Sequence, residues 1–194
     1  YEISCSLVGS EMCIRDRMGR EAMEKASALG HTHVLIVGNS GFAYEDGSNY
    51  LIRFRDAVVK RGDDLNMKVS FMPSTGYGMA DVRLLLDSAF AQDPEITAIV
   101  CQTNATHVNN LLIALHERNL VVPQDISVMA ACTYGLQQLP QAVDEMPMEP
   151  NVVCSRAVDT MMEILEYRRH DVGAVELLPG KYVARGTMGP CNIL

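Results

Sequence analysis

The sequence predicts an α/β protein built on a parallel sheet, and three observations carry that expectation. From about residue 19 on, short apolar runs alternate with helix-periodic segments, the connections are short, and the runs are apolar throughout. Strands covered on both faces by helices read this way. Composition agrees: 48% hydrophobic content in 194 residues suffices for one real core. No apolar run approaches the roughly eighteen residues that cross a bilayer.

Each element can be justified in order. GREAMEKASALG places Ala22, Met23, Ala26 and Leu29 on one helical face and ends at Gly30, a left-handed stop; HVLIVG supplies a strand at 34–37. The spacing of Leu51, Phe54, Ala57 and Val58 predicts a helix over about 49–60, ended by Gly62, and KVSFM a strand at 68–72. MADVRLLLDSAF buries Val82, Leu85, Leu86 and Ala89 before a strand at 96–101. ATHVNNLLIALHER buries Val108, Leu111, Leu112 and Leu115 before a strand at 126–131. After Tyr134 the rhythm breaks. LPQAVDEMPMEP, with Pro140, Pro147 and Pro150 among acidic residues, reads as an irregular crossover. A long helix over about 151–168, strand-like Tyr182 and Val183, and an unpatterned tail complete the chain.

Residues 6–17, SLVGSEMCIRDR, stand apart. Leu7, Val8, Met12 and Ile14 fit neither period, and the stretch lacks the basic start and apolar run of a secretory signal. VGSEMCIRDR resembles a translated sequencing-library adapter, so residues 1–17 are set aside from fold reasoning as an artefact of assembly.

The charge of -8 gives the chain no basic field for nucleic acid, so it is not expected to bind DNA by itself. Outside the leader, Cys101, Cys132, Cys154 and Cys191 show no metal-ligand spacing and read as reduced thiols of a cytoplasmic protein, although four cysteines also allow two disulfides. The glycines of VGNSGFAYEDGSN match no phosphate-cradling motif, but a strand-to-helix loop at the carboxyl edge of a sheet is a common place for ligands. His31 and His33 in GHTH share a strand face, yet no third ligand accompanies them, and no cofactor or metal site is expected. Cys132, directly after a strand, lacks a neighbouring base and reads as an inert thiol; a small α/β enzyme built on it is a minor alternative. Tyr44, Tyr50, Tyr77 and Tyr134 each fall in or beside a loop after a strand or at the start of the next helix, and together suggest a ligand cleft.

Three motifs carry a resemblance. MGREAMEKASALGHTHVLIVGN, NLVVPQDISVMAACT and YVARGTMGP are similar, in order and spacing, to the helix, Gly-His turn and strand, the Val-Pro, acidic, Ile-Ser-Val segment, and the closing strand of LacI/GalR-type bacterial transcription regulators. The resemblance implies a periplasmic-binding-protein-like (type I) fold: two three-layer α/β subdomains with a small effector between them, no enzymatic activity, and a helix-turn-helix at the amino terminus that reads operator DNA. It divides this chain into residues 18–134, mainly the C-terminal effector-binding subdomain, 135–172, a crossover and a helix of an incomplete N-terminal subdomain, and 173–194, a returning strand and tail. The DNA-binding domain is then missing, and the intact protein is expected to be a cytoplasmic homodimer.

Residue by residue, the resemblance assigns effector contacts to Tyr50, Tyr77, Asn104, Cys132 and Thr133. Tyr50 stands where the family commonly has an arginine that bonds sugar hydroxyls, and Ala105, Cys132 and Thr133 replace acids. A fork of charged hydrogen bonds to a polyol is lost, so the expected effector is sugar-like or less polar. A periplasmic sugar-binding protein of a transporter, which shares the fold, is the alternative. Without a second subdomain, the 151–168 helix should expose Val153, Ala157, Met161, Ile164 and Leu165.

Overall fold

A computed structural model describes residues 2–45, 49–133, 136–167 and 181–191, with side chains from Ile14 in the first helix and from Leu51 in the third. Five parallel strands form one sheet: β1 (His33–Ser40), β2 (Lys68–Ser74), β3 (Ala98–Cys101), β4 (Ser127–Thr133) and β5 (Asp144–Pro147), in the order β2-β1-β3-β4-β5. The helices are α1 (Glu2–Ala28), α2 (Gly41–Glu45), α3 (Asn49–Asp64), α4 (Met79–Gln92), α5 (Ala105–Glu117) and α6 (Pro150–Tyr167).

The apolar runs have two faces because the sheet is covered twice. Leu35, Val37, Ile99, Cys101, Val128 and Ala130 pack with α4 and α5. Their alternates Val34, Ile36, Ala98, Val100, Met129 and Ala131 pack with α1 and α3. The chain runs outward from β1 to β2, then crosses back over β1 to β3. That reversal puts α3 on one face and α4 on the other, and sets the switch point, the crevice position of open α/β sheets, at the carboxyl ends of β1 and β3.

Three features differ from the sequence expectations. The patternless stretch 6–17 lies within α1, and its end is in phase with the helix: Ile14, Met18, Ala22 and Ala26, four residues apart, are all buried. Extending a formed helix fixes one residue per bond gained, so weak periodicity does not end it. The supposed irregular crossover contains β5, paired to β4 from Met129↔Asp144 to Thr133↔Pro147. Its pattern is hidden because Asp144 and Glu145 are buried in polar contacts with the tail, and Pro147 falls at the strand end, where no donor is required. Residues 181–191 of the tail pack onto the sheet: Val183 bridges Glu145, Thr187 Oγ1 donates to Val128 O at 2.7 Å, and Cys191 N donates to Leu29 O at 2.7 Å.

No residue of α6 whose side chain is described is buried, and Val152, Val158, Met161, Met162 and Leu165 are each about half exposed or more. Val153, Ala157 and Ile164 are half-buried. Among the described residues, no helix is long and apolar enough to cross a membrane.

Candidate functional site

Polar residues gather where the strands end. β1 and β3 are apolar through Val37 and Cys101; Asn39, after Gly38, and the buried Gln102 follow at the carboxyl edge. Tyr44, on the short α2, joins them: its hydroxyl accepts from Asn39 N at 3.1 Å and donates to Gln102 Oε1 at 3.0 Å. The Tyr44 ring meets Phe71 edge-on at 5.1 Å, and the Arg55 guanidinium lies 5.9 Å from both rings. Gly38 makes this closure feasible, because a Cβ there would fall 2.6 Å from Phe71 and 2.7 Å from the Tyr44 hydroxyl. Burial pushes the Tyr44 phenol up to about 12, so it stays protonated and can donate.

Tyr77 completes the group from the loop before α4. Its hydroxyl donates to Asn39 Oδ1, which also accepts from Ser40 N at 2.8 Å; its carbonyl accepts from Asn110 Nδ2 at 2.8 Å. The ring packs edge-on against His107 with centroids 5.5 Å apart. Ser74 Oγ donates to Gly38 O at 2.8 Å, so it can only accept from His107 Nδ1 at 3.1 Å. The proton is therefore on Nδ1, and Nε2 presents a lone pair. Burial lowers the His107 pKa to about 4 against the opposing charge of Asp81, which keeps the ring neutral.

Gln102 Nε2, Thr103 Oγ1 and His107 Nε2 are buried and have no hydrogen-bond partner among the described residues. Each unmade bond costs roughly 1–3 kcal/mol, so a donor, an uncommitted hydroxyl and an acceptor buried at one sheet edge are a set of bonds that ordered water or a polar small molecule entering there can complete.

The residues singled out from sequence fall into distinct settings. Tyr77 lies within the network. Asn104 is exposed at the same edge, where its Oδ1 caps α5 by accepting from His107 N at 2.9 Å. Cys132 and Thr133 end β4 but are buried. The Cys132 thiol lies 3.7 Å from Met18 Sδ, towards α1, in a residue with φ of 58° at the β4 register shift. Burial pushes that thiol up to about 11, only partly countered by Arg15, which disfavours the thiolate at neutral pH. Thr133 Oγ1 donates to Ala131 O at 3.3 Å. Tyr50 is in the first turn of α3, with its side chain outside the described residues, as is Tyr134. Asn39, Ser74, Gln102, Thr103 and His107 were not singled out as ligand residues. All but His107 occur where an apolar run turns polar, in VGNS, MPS and VCQTN, and that transition is the signal available in the sequence.

At the opposite edge, His31 is committed: Nδ1 meets Thr97 Oγ1 and Nε2 meets Gly189 O, both at 3.0 Å. Burial lowers its pKa. A cavity of about 380 Å³ opens beside it, lined by Thr97, Pro123, Gln124, Asp125 and Pro190.

The model of the periplasmic binding protein-like domain family matches residues 17–188. Among curated proteins none matches the sequence. Solved structures share the fold at low identity. A LacI family transcriptional regulator from Bifidobacterium animalis subsp. lactis is 16% identical with a TM-score of 0.72, over 91% of this chain and 62% of that one. A LacI family regulator from Arthrobacter sp. FB24, in complex with lactose, is 18% identical with a TM-score of 0.69, over 90% and 64%. A PurR family regulator from Vibrio parahaemolyticus is 14% identical with a TM-score of 0.68, over 93% and 62%. The chain thus spans less than two thirds of each of these three proteins.

Proposed function

The chain belongs to the periplasmic-binding-protein-like domain family, and from that premise we propose that it is the effector-sensing region of a LacI-type bacterial transcription regulator. The observation that carries this reading is the set of buried, unpartnered polar atoms beside Tyr77 and Tyr44, at the crevice where the strand order reverses. That crevice is where open α/β sheets take their ligands. The groups there recognise without reacting: a neutral imidazole that accepts, a phenol that stays protonated, and thiols turned away and raised by burial.

The effector class follows from the same groups. Tyr50, Ala105, Cys132 and Thr133 stand where the family's arginine and acids are expected, so the retained surface suits an uncharged sugar or a less polar ring compound. Arg55 lies over the rings of Tyr44 and Phe71 and is paired with Asp56. In the intact protein the effector would favour one closure of two subdomains and thereby bias DNA-reading headpieces outside this chain. Cytoplasmic location and homodimerisation belong to the same proposal, as does the reading of residues 1–17 as a translated adapter.

One experiment separates this from the transporter alternative. The reading frame upstream of residue 17, recovered from the source genome, should depart from residues 1–17 and encode a helix-turn-helix. An export signal with no DNA-binding segment would overturn the regulator reading and favour the periplasmic sugar-binding protein.

A further inference from the structure

The amino edge of the sheet, opposite the crevice, carries a second polar cluster. His33 opens β1, and Asp93 and Glu95 lie in the turn between α4 and β3. In the sequence His33 pairs with His31, but the fold commits both His31 nitrogens elsewhere and brings His33 two carboxylates from sixty residues away.

The geometry fixes the tautomer of His33. Asp93 is buried, and its two oxygens lie 3.0 and 3.1 Å from His33 Nδ1. The same carboxylate accepts from Glu95 N at 3.2 Å and meets the Lys68 ammonium at 3.2 Å. A carboxylate takes a proton from the ring, so Nδ1 is the donor and Nε2 presents its lone pair. That lone pair faces Glu95 Oε2 at 3.4 Å. Two acceptors face each other at a spacing longer than the usual hydrogen bond, an arrangement that a second ring proton, a bridging water or a cation satisfies. For metal–ligand bonds of about 2.1 Å at a tetrahedral angle, the two donor atoms stand roughly 3.4 Å apart. The separation observed is that of two ligands on one tetrahedral ion.

We propose that His33 Nε2 and Glu95 bind one late first-row divalent cation, with Zn2+ the best physiological fit, and that Asp93 orients the imidazole from behind. One imidazole and one carboxylate suit Zn2+ better than Mg2+ or Ca2+, which favour oxygen shells. A carboxylate on the far ring nitrogen is the recurrent support of zinc-bound histidine. His33, Asp93 and Glu95 offer ligand atoms that all lie within 4.8 Å of one another. The Glu95 side chain is 70% exposed, which leaves the remaining positions to water and makes the site accessible. Lys68 is the opposing charge: it neutralises Asp93 and limits affinity, although it is itself more than half exposed. The proposal is independent of the effector reading, since the two sites lie at opposite ends of the strands.

The test is calorimetric titration of the full chain with Zn2+, after iodoacetamide has blocked its reactive thiols, Cys154 and Cys191 among them, with Co2+ absorption reporting coordination. One equivalent should bind. His33→Gln and Glu95→Gln should each weaken binding at least about tenfold, and Asp93→Asn about 10–100-fold. Glu95→Gln alters an exposed side chain, so its melting curve should match the parent and keep the comparison valid. No saturable Zn2+ uptake, or uptake unchanged in both His33→Gln and Glu95→Gln, would overturn the proposal and leave a proton or a water between the two groups.

Discussion

Replacing Asp144 by alanine should release the tail from the sheet. The carboxylate is 1% exposed and accepts from Arg185 N at 2.7 Å, from Thr187 N at 2.9 Å and from the Tyr182 hydroxyl. Burial works against its ionisation, but the bonds from Tyr182, Thr187 and Arg185 outweigh that and hold its pKa below the ordinary value. Burial and the same bond push the Tyr182 phenol up. Three bonds to a charged acceptor are worth about 1.5–3 kcal/mol each before the freed amides regain water. Asp144→Ala should therefore cost about 3–5 kcal/mol, or roughly 10 °C in Tm. Asp144→Asn keeps one acceptor and the shape, and should cost about half as much.

The assay is urea denaturation, with amide exchange read at Arg185 and Thr187. The folded pKa lies below the unfolded value of about 3.9, so the contribution is present above that pH and is lost as pH falls through the folded value. The gap between wild type and Asp144→Ala should close in acid below about pH 4. An alanine variant within about 1 kcal/mol of wild type at pH 7, or one with both amides still protected, would refute the reasoning.

Other outcomes follow from single residues. At pH 8 in the native state, a thiol reagent should label exposed Cys154 ahead of Cys101 and Cys132 and leave those two unmodified, since burial pushes their thiols up to about 12 and about 11; mass mapping reads the order, and early labelling of Cys132 would contradict it. Asn104→Ala removes the α5 cap and should cost about 1 kcal/mol by chemical denaturation, and no loss would count against the capping bond. The chain should bind a hydrophobic dye through α6, and Met161→Glu with Leu165→Glu should clearly reduce that fluorescence at unchanged circular dichroism; full dye binding by the double variant would place the apolar surface elsewhere.

The elements that were legible share one property: their patterns are local. The runs at β1, β3 and β4 are apolar on both faces, and α4 and α5 repeat at helical spacing, so period and length alone define them. β5 was not legible because its acids are buried by residues some forty positions later, in a tail that has no pattern of its own. The same limit applies to the sites. Tyr77 and Asn104 fall where a strand-to-helix loop directs attention, whereas His107 reads as a core position of α5 and acquires its role only through Ser74 and Gly38. The chemistry at His33 depends on Asp93 and Glu95, whose distance in sequence conceals it.

The most direct test of the effector surface is an amide-correlation NMR titration of the chain with a panel of uncharged sugars and nucleobases, lactose and adenine among them. At least one should produce saturable shifts centred on Asn39, Tyr77, Gln102, Thr103 and Asn104, and His107→Phe, which removes the Nε2 acceptor, should weaken them. No saturable shift at these residues with any member of the panel, or shifts confined to the amino edge around His31 and Asp125, would contradict the account.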